Sequence, residues 1–272
     1  MARLVLGTDK SVRIPAIVVE KPTPMPLSIQ KAKDANGKIV GGSTIIDIDG
    51  ATDVNNYVLA YAYYQANNII GTVDLSSLTT ISGNYGCSYM FFSCTGITNV
   101  DLSSLTTISG NSGCSYMFHS CYGITSVNLS SLTTVSGGSG CSYMFNGCTG
   151  ITNIDLSSLT TISSQNGCAY MFQSCTGITS VNLNSLNQIS GSRCLTQMFR
   201  GCTSLTTLSF PALTSTSFGS NTNQFYQMLL GVTGCTVHFP SNLQAIIGSW
   251  SDVTAGFDGT STTVLFDLPA TN

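Results

Sequence analysis

Charged side chains are scarce in this chain of 272 residues. Lys, Arg, Asp and Glu make up 8% of the sequence, and the formal net charge at pH 7 is −3, whereas about 25% of an ordinary soluble domain is charged. Binding to a nucleic-acid backbone needs a strong positive field, so the composition argues against nucleic acid as a partner. The 42% of hydrophobic residues argues against a disordered chain.

Long apolar runs are also missing. Ser, Thr and Gly interrupt every hydrophobic piece, so no run approaches the roughly 20 residues that cross a bilayer, and we expect no membrane insertion. The apolar run after Arg3 holds three residues, far fewer than the roughly 7–15 of a signal peptide. With no secretion signal visible, we expect either a mature form or a protein released by another route.

Acid–base chemistry has few candidate residues. Glu20 is the only glutamate, and the two histidines, His119 and His238, lie far apart in the sequence. No nucleophile–histidine–carboxylate pattern, paired-histidine zinc motif or phosphate-binding loop is present. We therefore expect no enzyme and no cofactor.

A repeat of 27 residues dominates the middle of the chain. An apolar–polar–apolar triplet begins at each of Val73, Val100, Val127, Ile154, Val181 and Leu208. A fixed period of this length is the signature of a solenoid. The pattern extends back to Ile46 and, with looser spacing, forward to Val237 and Val264. It predicts a stack of about nine rungs.

Each repeat divides into a strand, a glycine-rich turn and a cysteine-rich piece. The apolar spacing around the triplet predicts a strand of the leucine-rich-repeat type. The cysteine-rich piece has apolar residues at i, i+3, i+4 and i+7, which predicts one face of a two-turn helix. In one repeat these are Cys114, Met117, Phe118 and Cys121.

The stretch Met-Phe-x-x-Cys-x-x-Ile/Leu, as in residues 117–124 and 198–205, closely resembles the BspA-like leucine-rich repeats of bacterial and phage surface proteins. The resemblance covers about residues 45–236. It implies an α/β fold, a right-handed solenoid of about nine rungs with a parallel sheet on one side and short helices on the other. It also implies a non-enzymatic protein, extracellular or at a cell surface, that recognises a protein or glycan. The alternative is a virion (tail-associated) structural protein of a phage or prophage.

Three segments follow from the repeat. Residues 1–44 lie outside it, hold seven of the nine basic residues, and are expected to form an arm with a stiff proline-rich link and a hairpin. Residues 45–236 are the predicted solenoid, and residues 237–272 the predicted C-terminal cap. In the virion interpretation the amino-terminal arm is an attachment segment. The oligomeric state stays open.

The eleven cysteines recur mainly in pairs at i and i+7, as in Cys114 and Cys121. On a helix this spacing separates the Cα atoms by about 10.5 Å, beyond the roughly 7 Å that a disulfide can bridge. The spacing does not match zinc motifs either, so we expect no metal site. Buried free thiols are the favoured interpretation, and disulfides between adjacent turns are the alternative.

Two columns of side chains are candidates for function. The first is a polar column on the strands, formed by Asp74, Asp101, Asn128, Asp155 and Asn182. It is expected to be a solvated polar ladder, with cation binding as the alternative.

The second column is aromatic and consists of Tyr89, Tyr116, Tyr143 and Tyr170. Packing between neighbouring turns is the favoured interpretation, with ligand contact as the alternative. The position three residues after each tyrosine varies, being Phe92, His119, Asn146, Gln173 and, one turn further, Arg200. Variable residues on a constant scaffold are where specificity would reside, so we favour Tyr116, Tyr143, His119 and Asn146 as the binding residues, with the Thr, Asn and Asp residues of the strand face as the alternative.

Overall fold

The computed structural model describes residues 59–67, 69–218, 223–259 and 261–271. Over these residues the chain forms a parallel-sheet solenoid of about seven turns. The predicted count of about nine rungs is therefore slightly too high. The prediction treated every apolar triplet as one rung. The triplet at residues 46–48 lies outside the described residues, and the strand that contains Val264 is not followed by a further complete turn.

Each predicted triplet in the described part of the chain is a strand, and the strands stack in parallel. Their bounds are β1 (Gly71–Asp74), β3 (Ile97–Asp101), β5 (Ser126–Asn128), β7 (Asn153–Asp155), β9 (Ser180–Asn182), β11 (Thr207–Ser209), β12 (Thr236–Pro240) and β13 (Thr263–Leu268). Equivalent residues pair, as Val73 does with Val100 and Val100 with Val127. The stack consists of three hydrogen-bonded sheets in the orders β1-β3-β5, β7-β9 and β11-β12-β13.

A second parallel sheet is built from two-residue strands. They are β2 (Thr80–Ile81), β4 (Thr107–Ile108), β6 (Thr134–Val135), β8 (Thr161–Ile162) and β10 (Gln188–Ile189). The outward residue of each is partly exposed, and the inward one, such as Ile108, is fully buried. The alternation follows from the pleat, which sends successive side chains to opposite faces.

The core is a set of columns of like residues. Phe91, Phe118 and Phe145 are fully buried, with neighbouring ring centroids 5.1 and 5.3 Å apart. Each ring is covered by the turn before it and the turn after it. A single repeat leaves both of its flanks open, so the repeats stabilise one another.

The cysteine-rich piece of each repeat is not a helix, and this part of the fold prediction is wrong. Every second N–H bonds the carbonyl oxygen three residues earlier, as from Met90 N to Cys87 O at 3.2 Å. The N–H groups between them bond the next turn, as from Phe91 N to Met117 O at 2.8 Å. An α-helix would send every N–H four residues back. We call these pieces turn ribbons; they are residues 59–66, 85–94, 112–121, 139–148, 166–175, 193–202 and 225–232.

The turn ribbon buries the same positions as the predicted helix. Residues with positive φ recur every four residues, as at Ser112 (52°), Tyr116 (59°) and Ser120 (59°). The ribbon backbone therefore repeats every four residues, and each such unit consists of two overlapping turns. The repeat of four places i, i+3, i+4 and i+7 on the core side, close to the 3.6 of a helix. The apolar spacing therefore predicted the burial correctly and the backbone wrongly.

Helices within the described residues are confined to the C-terminal segment. They are a 3-10 helix at Ser241–Leu243, α1 (Gln244–Ile247), α2 (Ser251–Thr254) and a second 3-10 helix at Gly256–Asp258. In the described ranges no helix is both long and apolar enough to cross a membrane. The expected arm at 1–44 lies outside these ranges. The boundary between the solenoid and the C-terminal cap, placed between residues 236 and 237, stays a prediction.

Candidate functional site

The outer side of the turn ribbons carries tyrosines in a backbone conformation that is unusual for large residues. Tyr89, Tyr116, Tyr143 and Tyr170 have φ between 57° and 61°, the left-handed region that favours glycine. Each tyrosine occupies the third position of a β-turn, as Tyr89 does in the turn closed by Met90 N and Cys87 O. Glycine would fit this backbone with less strain, but it would lack the ring contacts that the tyrosines make along the solenoid.

The tyrosine rings stack face to face along the solenoid. The centroids of Tyr89 and Tyr116 are 4.7 Å apart, those of Tyr116 and Tyr143 are 4.5 Å apart, and those of Tyr143 and Tyr170 are 4.3 Å apart, with interplanar angles of 7° or less. Tyr61 extends the stack by one turn at 4.8 Å from Tyr89. The rings cover one another's faces, so the column offers ring edges and hydroxyl groups outward.

A second column runs beside the tyrosines, at the predicted variable position. Phe92 and His119 stack at 4.7 Å, and each ring also tilts against a tyrosine of its own turn, as His119 does against Tyr116 at 5.5 Å. The column then changes to amides, where Asn146 Nδ2 donates a 2.8 Å hydrogen bond to Gln173 Oε1. The predicted residues therefore lie together on one face, and the face changes from aromatic to polar along the solenoid.

Burial shifts the pKa of several side chains on this face. It raises the pKa of Tyr89 to about 12, and the nearby phenols of Tyr116 and Tyr61 act in the same direction. Burial, followed by the nearby phenols, raises the pKa of Tyr143 as well. Burial lowers the pKa of His119, so its imidazole is neutral at pH 7. At pH 7 the side chains of Tyr89, Tyr143 and His119 are therefore uncharged.

Tyr122 is an exposed residue that the sequence analysis did not single out. Tyr122 is 55% exposed and occupies a position that holds Thr95, Thr149, Thr176 and Thr203 in other turns. A Cβ built on Gly147 of the next turn would lie 3.8 Å from Tyr122 Cε1 and 3.6 Å from Ser120 Oγ. The break in the threonine column was visible in the sequence, and a Cβ on Gly147 would come into van der Waals contact with the tyrosine ring.

A family model describes most of this architecture. The BspA type leucine-rich repeat region matches residues 56–194 and 115–249, in six copies. The chain belongs to the BspA-type leucine-rich repeat family. Because the matches together cover residues 56–249, the assignment includes every turn ribbon described above.

Solved structures similar to this BspA-type chain include repeat proteins from bacteria. A leucine-rich repeat protein from Eubacterium ventriosum ATCC 27560 is 18% identical with a TM-score of 0.35, and the alignment covers 69% of this chain and 51% of that one. A leucine-rich repeat protein from Bacteroides ovatus ATCC 8483 is 16% identical with a TM-score of 0.32, covering 79% and 64%.

A leucine-rich cell surface protein from Faecalibacterium prausnitzii A2-165 is 11% identical to this BspA-type chain, with a TM-score of 0.21 and coverage of 79% and 76%. The chain thus spans 51% and 64% of the length of the first two structures. No curated protein matches it.

The polar column on the strands of this BspA-type solenoid closes turns. Asp74 Oδ1 accepts the N–H and the hydroxyl of Ser76 at 3.0 and 2.6 Å, and Asp101 Oδ1 accepts the Ser103 N–H at 2.9 Å. The same bond to the residue two positions later recurs at Asn128, Asp155 and Asn182. Asp and Asn are interchangeable here because both offer the one oxygen that the turn requires.

The eleven cysteines of the BspA-type repeats are all free and buried, as predicted. In most pairs the second cysteine donates a hydrogen bond to a carbonyl oxygen of the preceding turn. Examples are Cys121 Sγ to Phe91 O at 2.9 Å and Cys148 Sγ to Phe118 O at 3.1 Å. Burial raises the pKa of the Cys94 thiol to about 12. In the described part of the chain, no group of three or more His, Cys, Asp or Glu side chains could hold a metal ion.

The two histidines of this BspA-type chain occupy separate places. His119 lies on the turn ribbons, where Ser120 Oγ is 2.8 Å from its Nδ1. His238 lies on β12, with its Nδ1 2.9 Å from each carboxylate oxygen of Asp267. Ser209 pairs with His238 in the parallel register, but the described contacts include no hydrogen bond between their side chains.

Proposed function

We propose that this chain is a non-enzymatic recognition protein, acting at a cell surface, that binds a protein or glycan through the outer face of its turn ribbons. One observation carries the proposal: the ribbon backbone is constant, whereas the outward position three residues after the tyrosine is Phe92, His119, Asn146 or Gln173, and the equivalent position one turn further is Arg200. A constant backbone with different outward side chains is an arrangement suited to recognition.

The strand face is the less suitable surface. Its threonine hydroxyls are used in bonds between turns, as from Thr133 Oγ1 to Thr106 O at 2.9 Å and from Thr179 Oγ1 to Thr152 O at 3.2 Å. Its acidic residues close turns, as described for Asp101. A ligand on this face would compete with bonds that hold the solenoid together, whereas the ribbon face has side chains free to vary.

A binding screen of the intact chain against glycans and extracellular-matrix proteins tests the proposal. The ribbon variant combines His119→Asn and Gln173→Asn, each introducing the residue that Asn146 provides at the same position one turn away. The matched strand-face control combines Asn153→Ser and Ser126→Asn, which exchange residues that alternate at one strand position. We expect the ribbon variant to lose binding and the control to keep it. The reverse result would place recognition on the strand face.

A virion-associated structural role is the second candidate. The observation that favours it is the charge distribution, because seven of the nine basic residues lie in residues 1–44, as expected for a separate attachment segment. Antibodies against the chain should then label purified phage particles, and a chain lacking residues 1–44 should be absent from them. Labelling of bacterial cell surfaces in the absence of phage would favour the first proposal.

A further inference from the structure

We infer that Tyr122 and the ribbon side chains next to it form a subsite for a neutral carbohydrate, with a sugar ring stacked on the tyrosine. This inference rests on the proposed function and specifies its ligand class. It begins from a break in the repeat directly after one turn ribbon: a large exposed side chain, Tyr122, in a column of threonines.

Tyr122 lies next to the following turn and remains exposed. Its ring edge lies over Gly147, whose missing Cβ would be 3.8 Å from Tyr122 Cε1. Gly147 has φ of 77°, and Ser120 and Ser174 occupy the same position in adjacent turns with φ of 59° and 60°. Serine is therefore compatible with this backbone. Gly147 places no side chain against Tyr122, which is 55% exposed.

The tyrosine column cannot supply the same surface. Tyr116 and Tyr143 are stacked at 4.5 Å with 6° between their planes, so neither presents a ring face to solvent. A sugar stacks through its C–H groups on an open aromatic face, which a tyrosine provides with little loss of side-chain entropy. Among the residues of the central turns that the structure describes, Tyr122 has the most exposed ring.

Neutral hydrogen-bonding groups lie on the turn of Tyr122 and on the two turns that follow it. Ser120, whose Cα is 3.7 Å from the Gly147 Cβ position, bonds His119 Nδ1 through its hydroxyl at 2.8 Å. Asn146 adjoins Gly147, and its Nδ2 bonds Gln173 Oε1 at 2.8 Å, which leaves the Asn146 Oδ1 acceptor and the Gln173 Nε2 donor for a ligand. Amide and imidazole groups of this kind are suited to sugar hydroxyls.

The absence of charge selects the class of carbohydrate. Between Leu75 and Ser192 the sequence contains two charged residues, Asp101 and Asp155, and both close turns on the strand side. Sulfated, sialylated or uronic-acid sugars would lose their hydration without gaining a cationic partner. A neutral hexose-containing oligosaccharide needs only the ring and the amides.

The experiment uses the intact chain on an array of neutral and acidic oligosaccharides, followed by calorimetric titration with the neutral oligosaccharide that binds best. Tyr122→Thr introduces the residue of the neighbouring turns and should weaken binding by about tenfold or more. Tyr122→Phe keeps the ring and should stay within about threefold. The control is Tyr85→Ser, which removes another exposed tyrosine and introduces the residue found at Ser112 and Ser139; it should bind like the original chain. Circular dichroism and thermal unfolding verify that each variant is folded.

The outcomes separate this inference from the proposed function. Equal binding by the original chain and by Tyr122→Thr would overturn the subsite and leave the recognition role intact. Binding to matrix proteins or acidic glycans alone would also overturn the neutral-carbohydrate assignment and leave that role intact. No binding to any glycan or protein in either screen would overturn both. Loss of binding in Tyr122→Thr, with retention in the other two variants, supports the subsite.

Discussion

The Cys121 thiol donates a 2.9 Å hydrogen bond to the carbonyl oxygen of Phe91 in the preceding turn. The same oxygen accepts the N–H of Cys94 at 3.1 Å, so one carbonyl joins two turns. This relationship explains why the second cysteine of the pair recurs: a small apolar side chain with a weak donor fits a buried position next to a carbonyl oxygen.

The first prediction concerns thiol reactivity. Burial raises the pKa of Cys94 and of Cys175 to about 12, so little of the reactive thiolate forms at neutral pH. We expect slow labelling of the folded protein by a thiol reagent, and rapid labelling of eleven thiols after unfolding without reductant. Mass spectrometry that found ten cysteines in disulfides would contradict the free-thiol assignment.

The second prediction concerns alkaline pH. Burial raises the pKa of Tyr89 from 10.0 to about 12, so the folded state favours the protonated phenol. The associated stability is complete below pH 10 and is lost as the pH rises through about 12. The free energy of unfolding should therefore fall over this range, with the buried cysteines contributing in the same direction. Phenolate absorbance should appear at higher pH in the folded than in the unfolded protein; coincident titration curves would contradict the burial of the ring column.

The third prediction concerns the stability of the ring column. Tyr116→Ala removes the stacking of Tyr116 on Tyr89 and on Tyr143, and should cost about 1–3 kcal/mol in denaturant unfolding. Tyr116→Phe keeps both contacts and should cost less than about 0.5 kcal/mol. If both substitutions had the same effect, the stacking would contribute nothing to the stability of the ribbons.

The fourth prediction concerns salt. The outer face of the central turns has no formal charge, so binding to it should change less than about twofold between low and physiological ionic strength. Titrations of the original chain at several salt concentrations measure this directly. Affinity that collapses with added salt would instead point to the basic residues of segment 1–44 or to Arg193 and Arg200.

The sequence predicted the strands well because their register is repeated without insertions. The triplets at Val100 and Val127 pair as equivalent residues, and the two last strands fall at the predicted Val237 and Val264. The sequence also placed the polar column on the strands. It did not predict the turn-closing bond from Ser103 N to Asp101 Oδ1, because that bond depends on local geometry that the spacing alone does not specify.

The helix prediction failed for a definable reason. A ribbon with a four-residue unit and a helix with 3.6 residues per turn bury nearly the same positions over eight residues, so Cys114, Met117, Phe118 and Cys121 could not distinguish them. The glycines at Gly147 and Gly201, in the column that holds Ser120 and Ser174, were the available signal. Both have positive φ, which a helix interior does not allow.

The proposed recognition surface depends on the turn-ribbon backbone, and one pair of substitutions tests that backbone directly. Ser174 is exposed, has φ of 60° and occupies the position that Gly147 and Gly201 hold in adjacent turns. In a ribbon, Ser174→Gly should be more stable than Ser174→Ala by about 1 kcal/mol, because alanine bears the cost of a left-handed backbone. In a helix the order is reversed by about 1 kcal/mol. Denaturant unfolding of the two variants measures the sign: greater stability of the glycine variant is the expected result, and greater stability of the alanine variant would contradict the ribbon and the surface built on it.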